Sequence, residues 1–197
     1  MSRLILFLLM LSMMSCSDGK KPLHGVTEYQ RQQNAFFKDA TTSPLKVKDR
    51  ENFEGLDFFD NDSTFVVNAK LVLTPEAEPF EMKTSTARVA SYRKYARLEF
   101  LIKEEPMQLY IYQDMESEDK SYLFLPFLDE TNGETTYGGG RYIETRIPEG
   151  DVLTIDFNKA FNPYCAYNEK YSCPIVPREN YLRIAITAGV KKYKKQY

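Results

Sequence analysis

The feature of this sequence that most limits its possible folds is a series of short segments in which apolar and other side chains alternate. The first segment begins after Asn61, and its apolar face consists of Phe65, Val67, Ala69, Leu71 and Leu73. A period of two places successive side chains on opposite faces, as in a β-strand that is buried on one side. Further strands are predicted at residues 80–85, 95–102, 107–112, 122–127, 141–147, 152–157 and 182–187.

The connections between these segments predict how the strands pair. Residues 104–106 are expected to join two strands in a hairpin, and residues 148–151 to join two others. Short strands at near-regular spacing are typical of antiparallel barrels and sandwiches rather than of βαβ units. We therefore predict a mainly β fold with N-terminal helices, of the α+β class, built as an antiparallel β-barrel or sandwich-like domain.

The segment before the strands has helical periodicity. Thr27 and Gln30 match a capping box, and Tyr29, Phe36 or Phe37 and Ala40 follow at spacings that place them on one helix face. A second short helix is predicted at residues 49–54, ending at Gly55.

The N-terminal residues have the organisation of a secretory signal. Arg3 precedes the apolar stretch 4–11, and the small residue Ser15 stands directly before Cys16. This arrangement is typical of a signal peptide, and the apolar stretch is too short to span a bilayer comfortably. The pair Ser15 and Cys16 is similar to a bacterial lipobox, in which the Cys is acylated and becomes the first residue of the mature chain.

We therefore predict a signal peptide at 1–15, a lipid-anchored tether at 16–25, a single domain at 26–190 and a basic tail at 191–197. The protein is expected in the bacterial cell envelope, held on the extracytoplasmic side by membrane lipid through acylated Cys16. The alternative is an ordinary signal peptide cut nearby, which leaves Cys16 as a free thiol. His24 falls in the tether, where an exposed residue is expected rather than a metal ligand or a base.

Composition excludes several classes of function. The chain has 26 Lys and Arg against 28 Asp and Glu, so no basic surface for a nucleic acid is expected. It contains a single His, which excludes sites that need several imidazoles, and no metal site and no cofactor are expected. Apolar residues make up 43% and aromatic residues 14% of the chain, which is sufficient for one packed core.

Dense clusters of glycine, aromatic and polar residues occur in the C-terminal third. They read Leu-Pro-Phe at 125–127, Tyr-Gly-Gly-Gly-Arg-Tyr at 137–142, Asp-Phe-Asn at 156–158, Phe-Asn-Pro-Tyr-Cys-Ala-Tyr at 161–167 and Cys-Pro-Ile at 173–175. In this order they resemble DUF1684, a bacterial family of unknown function, over about residues 29–189. The resemblance implies a shared fold and a cluster of polar residues, but no activity. Val190 stands where the family usually has an acidic residue, which weakens any catalytic role taken from relatives.

The candidate binding residues centre on three consecutive glycines, Gly138, Gly139 and Gly140. Glycines can turn backbone N–H groups towards an anion, and Arg141 beside them could hold a small anionic ligand with two hydrogen bonds. The alternative is a bulged turn, with Arg141 paired to Asp156 or Glu179 for structure. Four further side chains would complete a polar pocket near the glycines: Asn158, Asn162, Tyr164 and Asn180.

These residues favour a binding or structural module over an enzyme. The alternative function is a hydrolase of an anionic envelope or small-molecule substrate, with Asp156 or Glu179 as the base and Arg141 stabilising negative charge. The single His and the absence of a conventional nucleophile motif favour the module.

Cys165 and Cys173 remain as a pair once Cys16 is acylated. In an oxidising envelope the simplest prediction for such a pair is a disulfide. The alternatives are two buried thiols, or a redox or metal role. Their spacing matches neither the C-x-x-C redox motif nor the usual zinc-ligand pairs.

Overall fold

The computed structural model describes residues 27–194. The predicted signal peptide, the acylation site Cys16, the tether with His24 and the end of the basic tail lie outside the described residues. Within 27–194, no helix has the length and apolar character needed to cross a bilayer.

The described chain is built on one large sheet, which confirms the predicted mainly β class with N-terminal helices. Its strands are β1 (Val66–Leu73), β2 (Phe80–Lys83), β3 (Val89–Ile102), β4 (Glu105–Asp114), β5 (Tyr122–Asp129), β6 (Arg141–Arg146), β7 (Val152–Asp156) and β8 (Tyr181–Leu182). The main path runs β6-β5-β4-β3-β1-β7, while β2 pairs with β3 and β8 pairs with β5. Only the β5–β8 pairing is parallel among these strands.

Helix α1 (Glu28–Lys38) begins at the predicted capping box. The Thr27 hydroxyl accepts the Gln30 backbone N–H at 3.2 Å, and Gln30 Oε1 accepts the Thr27 N–H at 3.0 Å. These two bonds satisfy N–H groups that the first turn of a helix leaves without partners. The second helix, α2 (Val47–Glu51), begins two residues before the predicted position, and its N-cap residue Lys46 makes no side-chain capping hydrogen bond.

The helical segment is attached to the sheet domain by a small aromatic cluster. The ring centroid of Phe37 lies 5.9 Å from that of Phe53 and 4.7 Å from that of Tyr167. Leu45 completes the buried cluster. Burial of these rings anchors α1 against the C-terminal loops, because aromatic side chains remove a large apolar area from water.

The β3–β4 hairpin confirms one predicted connection with a tighter turn. Ile102 pairs with Glu105, so only Lys103 and Glu104 form the loop. Both loop residues have positive φ angles, of 50° and 64°. Such turns match the right-handed twist of the strands that they join. Strand β3 extends further than predicted because its first half also pairs with β2.

The second predicted hairpin is wrong, because β6 and β7 lie at opposite ends of the sheet path. Strand β6 pairs with β5, and β7 pairs with β1. In a flat sheet, strands five positions apart would be separated by about 24 Å. The connection 147–151 reaches at most about 22 Å when fully extended. The sheet therefore curls into a half-barrel, which brings its two edges towards each other.

The segment that follows β7 crosses back to the opposite edge. The N–H of Tyr142 in β6 donates to the Phe161 carbonyl at 2.9 Å, and the N–H of Phe161 donates to the Tyr142 carbonyl at 3.0 Å. This bridge pairs one edge strand and leaves fewer exposed edge groups, which protects a sheet from pairing with other chains. The strand predicted at 182–187 is reduced to β8.

A single side chain fills the gap where β4 and β5 diverge. These strands share only the pair Tyr112 and Phe124, and the next pair along would be Tyr110 with Pro126. Pro126 has no N–H to donate. Asn180 supplies one instead, because its Nδ2 donates to the carbonyls of Tyr110 and Pro126, both at 2.7 Å.

The two faces of the sheet have different partners. Leu123, Leu125 and Phe127 of β5 belong to the main apolar core, together with residues from β1, β3, β4, β6 and β7. Phe124, between them in the chain, points to the other face and belongs to a second cluster with Tyr92 and Tyr142. The second cluster is aromatic, and it is the face on which the pocket described below opens.

Alanine substitutions at three glycines separate backbone strain from steric contact. Gly140 has φ +89°, and a Cβ there would lie 2.6 Å from the Phe127 carbonyl oxygen, whereas Gly133 has φ +86° and open space. Gly150 has neither constraint. We expect Gly133→Ala to lower the free energy of unfolding by about 1–2 kcal/mol, Gly140→Ala to lower it by more, and Gly150→Ala to change it little. Urea denaturation followed by circular dichroism measures the stability of all three variants. Equal losses of unfolding free energy for Gly133→Ala and Gly140→Ala would show that the close contacts of an added Cβ at Gly140 have no cost.

Candidate functional site

Arg141, the predicted anion ligand, is fully buried at the start of β6. Its Nη2 donates to Asp129 Oδ2 at 2.9 Å and to the Ile186 carbonyl at 2.8 Å, and its Nη1 donates to the Ala188 carbonyl. Burial lowers the pKa of Arg141, and the negative charge of Asp129 opposes that shift. Both charged side chains are 0% exposed. Arg141 therefore joins β5, β6 and the C-terminal segment and has no surface for a ligand in this structure.

The predicted glycines form the turn that enters β6. The N–H of Gly140 donates to the Tyr137 carbonyl at 3.1 Å, so it closes the turn and is not free for an anion. Gly140 has a positive φ, and Gly139 lies against the Tyr137 ring, where a Cβ would be 2.6 Å away. The geometry at Gly138 is less restrictive, with no atom closer than 3.7 Å to an added Cβ.

Two of the predicted amide side chains hold loops in place. Asn158 Oδ1 accepts the Asp62 N–H and its Nδ2 donates to the Asp62 carbonyl, both at 2.9 Å. Asn162 Nδ2 donates to the Lys191 carbonyl at 2.9 Å. Each amide is buried and is bonded to backbone of a distant segment. With Asn180 between β4 and β5, these asparagines link chain segments and are not gathered around one cavity.

The predicted acid and base groups lie in separate places. Asp156 Oδ2 is 3.4 Å from Lys159 Nζ, whereas Glu179 Oε1 is 3.2 Å from Lys94 Nζ. Burial raises the pKa of Glu179, but hydrogen bonds from its own backbone N–H and from Lys94 outweigh burial and lower the pKa overall. No hydrogen bond or ion pair described for residues 27–194 joins Asp156, Glu179 and Arg141 to one another. The same residues contain no group of His, Cys, Asp and Glu side chains arranged for a metal ion.

A pocket of about 380 Å³ opens instead on the outer face of β5 and β6. Half of its fourteen lining residues are aromatic, namely Tyr29, Tyr92, Tyr122, Phe124, Tyr142, Phe161 and Tyr164. Among the binding residues predicted from the sequence, Tyr164 alone lines this pocket. Helix α1 contributes one wall through Tyr29, whose hydroxyl donates to the Lys159 carbonyl at 2.8 Å.

The register of β5 and β6 builds the floor of the pocket. Phe124 pairs with Glu144, and Pro126 pairs with Tyr142, so Phe124, Glu144 and Tyr142 share one face. The ring centroid of Phe124 lies 4.7 Å from that of Tyr142 and 5.5 Å from that of Tyr92. Such edge-to-face and tilted contacts hold aromatic rings in fixed orientations.

The charge of the pocket comes from Glu144. Tyr122 donates its hydroxyl to Glu144 Oε1 at 2.9 Å, and no cationic side chain within residues 27–194 forms an ion pair with Glu144. Lys159 also lines the pocket, but its charge is balanced by Asp156. Burial raises the pKa of Tyr92, Tyr122 and Tyr142, so these phenols stay neutral at physiological pH. The pocket therefore presents aromatic faces and one uncompensated carboxylate.

The sequence held a signal for this pocket. In β5 and β6, aromatic and acidic residues alternate with aliphatic ones, at Tyr122 and Phe124 and again at Tyr142 and Glu144. The alternation predicts a second aromatic face, but only the register shows that both strands direct it to the same place. Contributions from α1 and from the loop around Phe161 depend on tertiary packing, and no local pattern predicts them.

Cys165 and Cys173 are free thiols in the structure, so the predicted disulfide is not present there. The N–H of Cys165 donates to Cys173 Sγ at 3.2 Å. The two residues thus meet through a hydrogen bond rather than through a covalent bridge. Cys173 also contributes to the wall of the aromatic pocket.

Comparison with known proteins places the chain in a family. Residues 51–191 match the protein family of unknown function DUF1684, and the chain belongs to that family. A solution NMR structure of an uncharacterized protein from Haloarcula marismortui is similar, with 34% identity and a TM-score of 0.66. The similarity covers 82% of this chain and 89% of that one. No curated protein matches.

Removing the buried cation tests its structural role. Arg141→Met leaves the Asp129 carboxylate buried without its partner, which should lower the free energy of unfolding by about 3–5 kcal/mol. Arg146→Met removes a cation of the same strand from an exposed pair with Asp119 and should have little effect. Chemical denaturation of both variants is the measurement. Similar stability of the two variants would show that the buried pair is not needed for the fold.

Proposed function

We propose that the protein is a lipid-anchored, extracytoplasmic binding protein whose aromatic pocket takes a small organic cation. The proposal rests on one observation: aromatic rings and the Glu144 carboxylate, which has no ion-pair partner among the described residues, line the same pocket. A cation over an aromatic face is attracted by the ring quadrupole, with a contribution of about 0.5–2 kcal/mol per favourable contact. Quaternary ammonium groups suit such a site because they offer charge and apolar surface together.

This ligand class replaces the small anion expected from the sequence. The anion depended on Arg141, which is buried against Asp129 and makes its remaining hydrogen bonds to backbone carbonyls. The hydrolase alternative depended on the same Arg together with Asp156 or Glu179. No observation favours it, because these groups form separate ion pairs.

Anchoring at Cys16 supports a role at a membrane surface. The tether predicted at 16–25 has ten residues, so it would hold the domain within at most about 36 Å of the bilayer. Several acyl chains on one Cys give stable attachment, because each buried methylene contributes about 0.8 kcal/mol. A domain held at this distance can bind ligands that occur at or near the extracytoplasmic face.

Ligand binding is tested with two probes of nearly equal shape. Choline carries a trimethylammonium group, and 3,3-dimethylbutan-1-ol is its neutral isostere. We expect the protein to bind choline at least about 10-fold more tightly than the alcohol, because only choline interacts with Glu144 and the ring faces as a cation. Isothermal titration calorimetry measures both affinities.

The matched variants for this test are Glu144→Gln and Glu149→Gln. Glu144→Gln should reduce the preference for choline about 5-fold and leave the affinity for the alcohol unchanged. Glu149 is exposed in the 147–151 connection and does not line the pocket, so Glu149→Gln should bind both probes with the affinities of the wild-type protein. Equal binding of both probes by the unchanged protein, or no binding of either, would refute a cation site.

Acylation is tested separately in cells. The full chain, produced in a bacterial host that is fed an alkyne-tagged fatty acid, should be labelled, whereas the Cys16→Ser variant should not. Cys165→Ser serves as the control and should keep the label, because the modified sulfur is expected on Cys16 alone. An unlabelled protein that retains Met1 in its mass spectrum would show that the chain is not a lipoprotein.

A further inference from the structure

The two cysteines lie on segments that are fixed by the rest of the fold. The N–H of Cys173 donates to Ser85 Oγ at 3.1 Å, and the N–H of Ser85 donates to the Cys173 carbonyl at 2.8 Å. Cys165 belongs to the short turn Tyr164–Ala166, in which the N–H of Ala166 donates to the Pro163 carbonyl at 2.9 Å. The two segments meet at the cysteines, where the N–H of Cys165 donates to Cys173 Sγ at 3.2 Å.

The surroundings of the two sulfurs differ. The hydroxyl of Tyr137 lies 3.9 Å from Cys165 Sγ, and the side chains of Cys173 and Ser85 also lie close to that sulfur. These polar neighbours, Cys173 first among them, lower the pKa of Cys165 to about 6 despite partial burial. The interaction with Cys165, together with burial, raises the pKa of Cys173. These shifts favour the thiolate form at Cys165 and the thiol form at Cys173.

Access to the pair is also unequal. Cys165 is partly exposed, whereas Cys173 is buried and faces the aromatic pocket. Reactive cysteines combine thiolate character with access to solvent, and a second thiol nearby can resolve a mixed disulfide. Cys165 has both properties of the attacking residue, and Cys173 has the position of the resolving one.

We propose that Cys165 and Cys173 form a redox-active dithiol that exchanges with low-molecular-weight disulfides, with Cys165 attacking first. The thiolate of Cys165 bonds to one sulfur of the disulfide, whose S–S bond breaks and releases one thiolate. Cys173 then gives its proton to that thiolate and attacks Cys165 Sγ, which releases the second thiolate. Two electrons pass from the cysteine pair to the small disulfide, which becomes one thiol and one thiolate. This proposal does not depend on the ligand of the pocket.

The experiment uses the reduced full chain and glutathione disulfide as the probe. After acid quenching and alkylation, trypsin cuts at Lys159, Lys170 and Arg178, so the two cysteines fall in different peptides. We expect peptides 160–170 and 171–178 to become joined by a disulfide after exposure to the probe. Cys16 lies in another peptide and does not interfere with the measurement.

Single variants distinguish the two roles. Cys173→Ser should accumulate a mixed disulfide of glutathione on Cys165, because the resolving thiol is missing. Cys165→Ser should leave Cys173 at least about 10-fold slower to react at pH 7, because it stays protonated and buried. Melting temperatures of both variants show that each is folded when it is assayed.

Alkylation by iodoacetamide as a function of pH provides a second, independent readout. The rate at Cys165 should rise through a midpoint near the pKa of about 6, and Tyr137→Phe should move that midpoint upward without unfolding the protein. A mixed disulfide that never forms on Cys165 in folded Cys173→Ser would overturn the proposal. Unjoined peptides in the reacted wild-type protein would do so as well. Choline affinity is measured on the same samples, so a failure here is distinguishable from a failure of the pocket.

Discussion

The buried ion pair between Asp129 and Arg141 is the interaction on which the arrangement of the C-terminal half depends. Asp129 ends β5, Arg141 begins β6, and the guanidinium also donates to carbonyls of the segment that carries Ile186 and Ala188. Asp129 Oδ1 in turn accepts the N–H of Ile186 and of Thr131. Charges removed from water are stable only when nearly all their hydrogen-bonding capacity is used. The three segments therefore supply hydrogen-bonding partners to one another. Displacement of any one of them would leave a buried charged group without its partners.

Local patterns predicted most of the elements of this fold but only part of their assembly. The Thr27 capping box and the strand alternation depend on residues close in sequence, and both are present in the structure. Whether β6 pairs with β7 depends on the curl of the whole sheet, which no short segment encodes. The same limit applied to Arg141. Its residue type fits an anion site and a buried ion pair equally well, and only the fold brings Asp129 to it.

The candidate site shows the same division between local and tertiary information. The run of glycine and polar residues before β6 predicts a binding site. In the structure, these residues form a turn and make hydrogen bonds to backbone groups. The pocket is instead lined largely by tyrosines and phenylalanines. Their alternation in β5 and β6 predicts an aromatic face, but no local pattern shows that this face lines a pocket. Their role follows from facing outward on a sheet whose other face already supplies the core.

The ion pair and the pocket are connected through strand register. Phe127 pairs with Arg141, and this pairing places Phe124 opposite Glu144 three residues further along β6. A slip of one residue would turn every side chain of β6 to the opposite face, moving Glu144 out of the pocket and into the core. That slip would also separate Arg141 from Asp129, leaving two buried charges unpaired. Buried polar groups are best known for specifying register rather than for adding stability. The interaction that holds the C-terminal half together thus also aligns the carboxylate and the rings of the pocket.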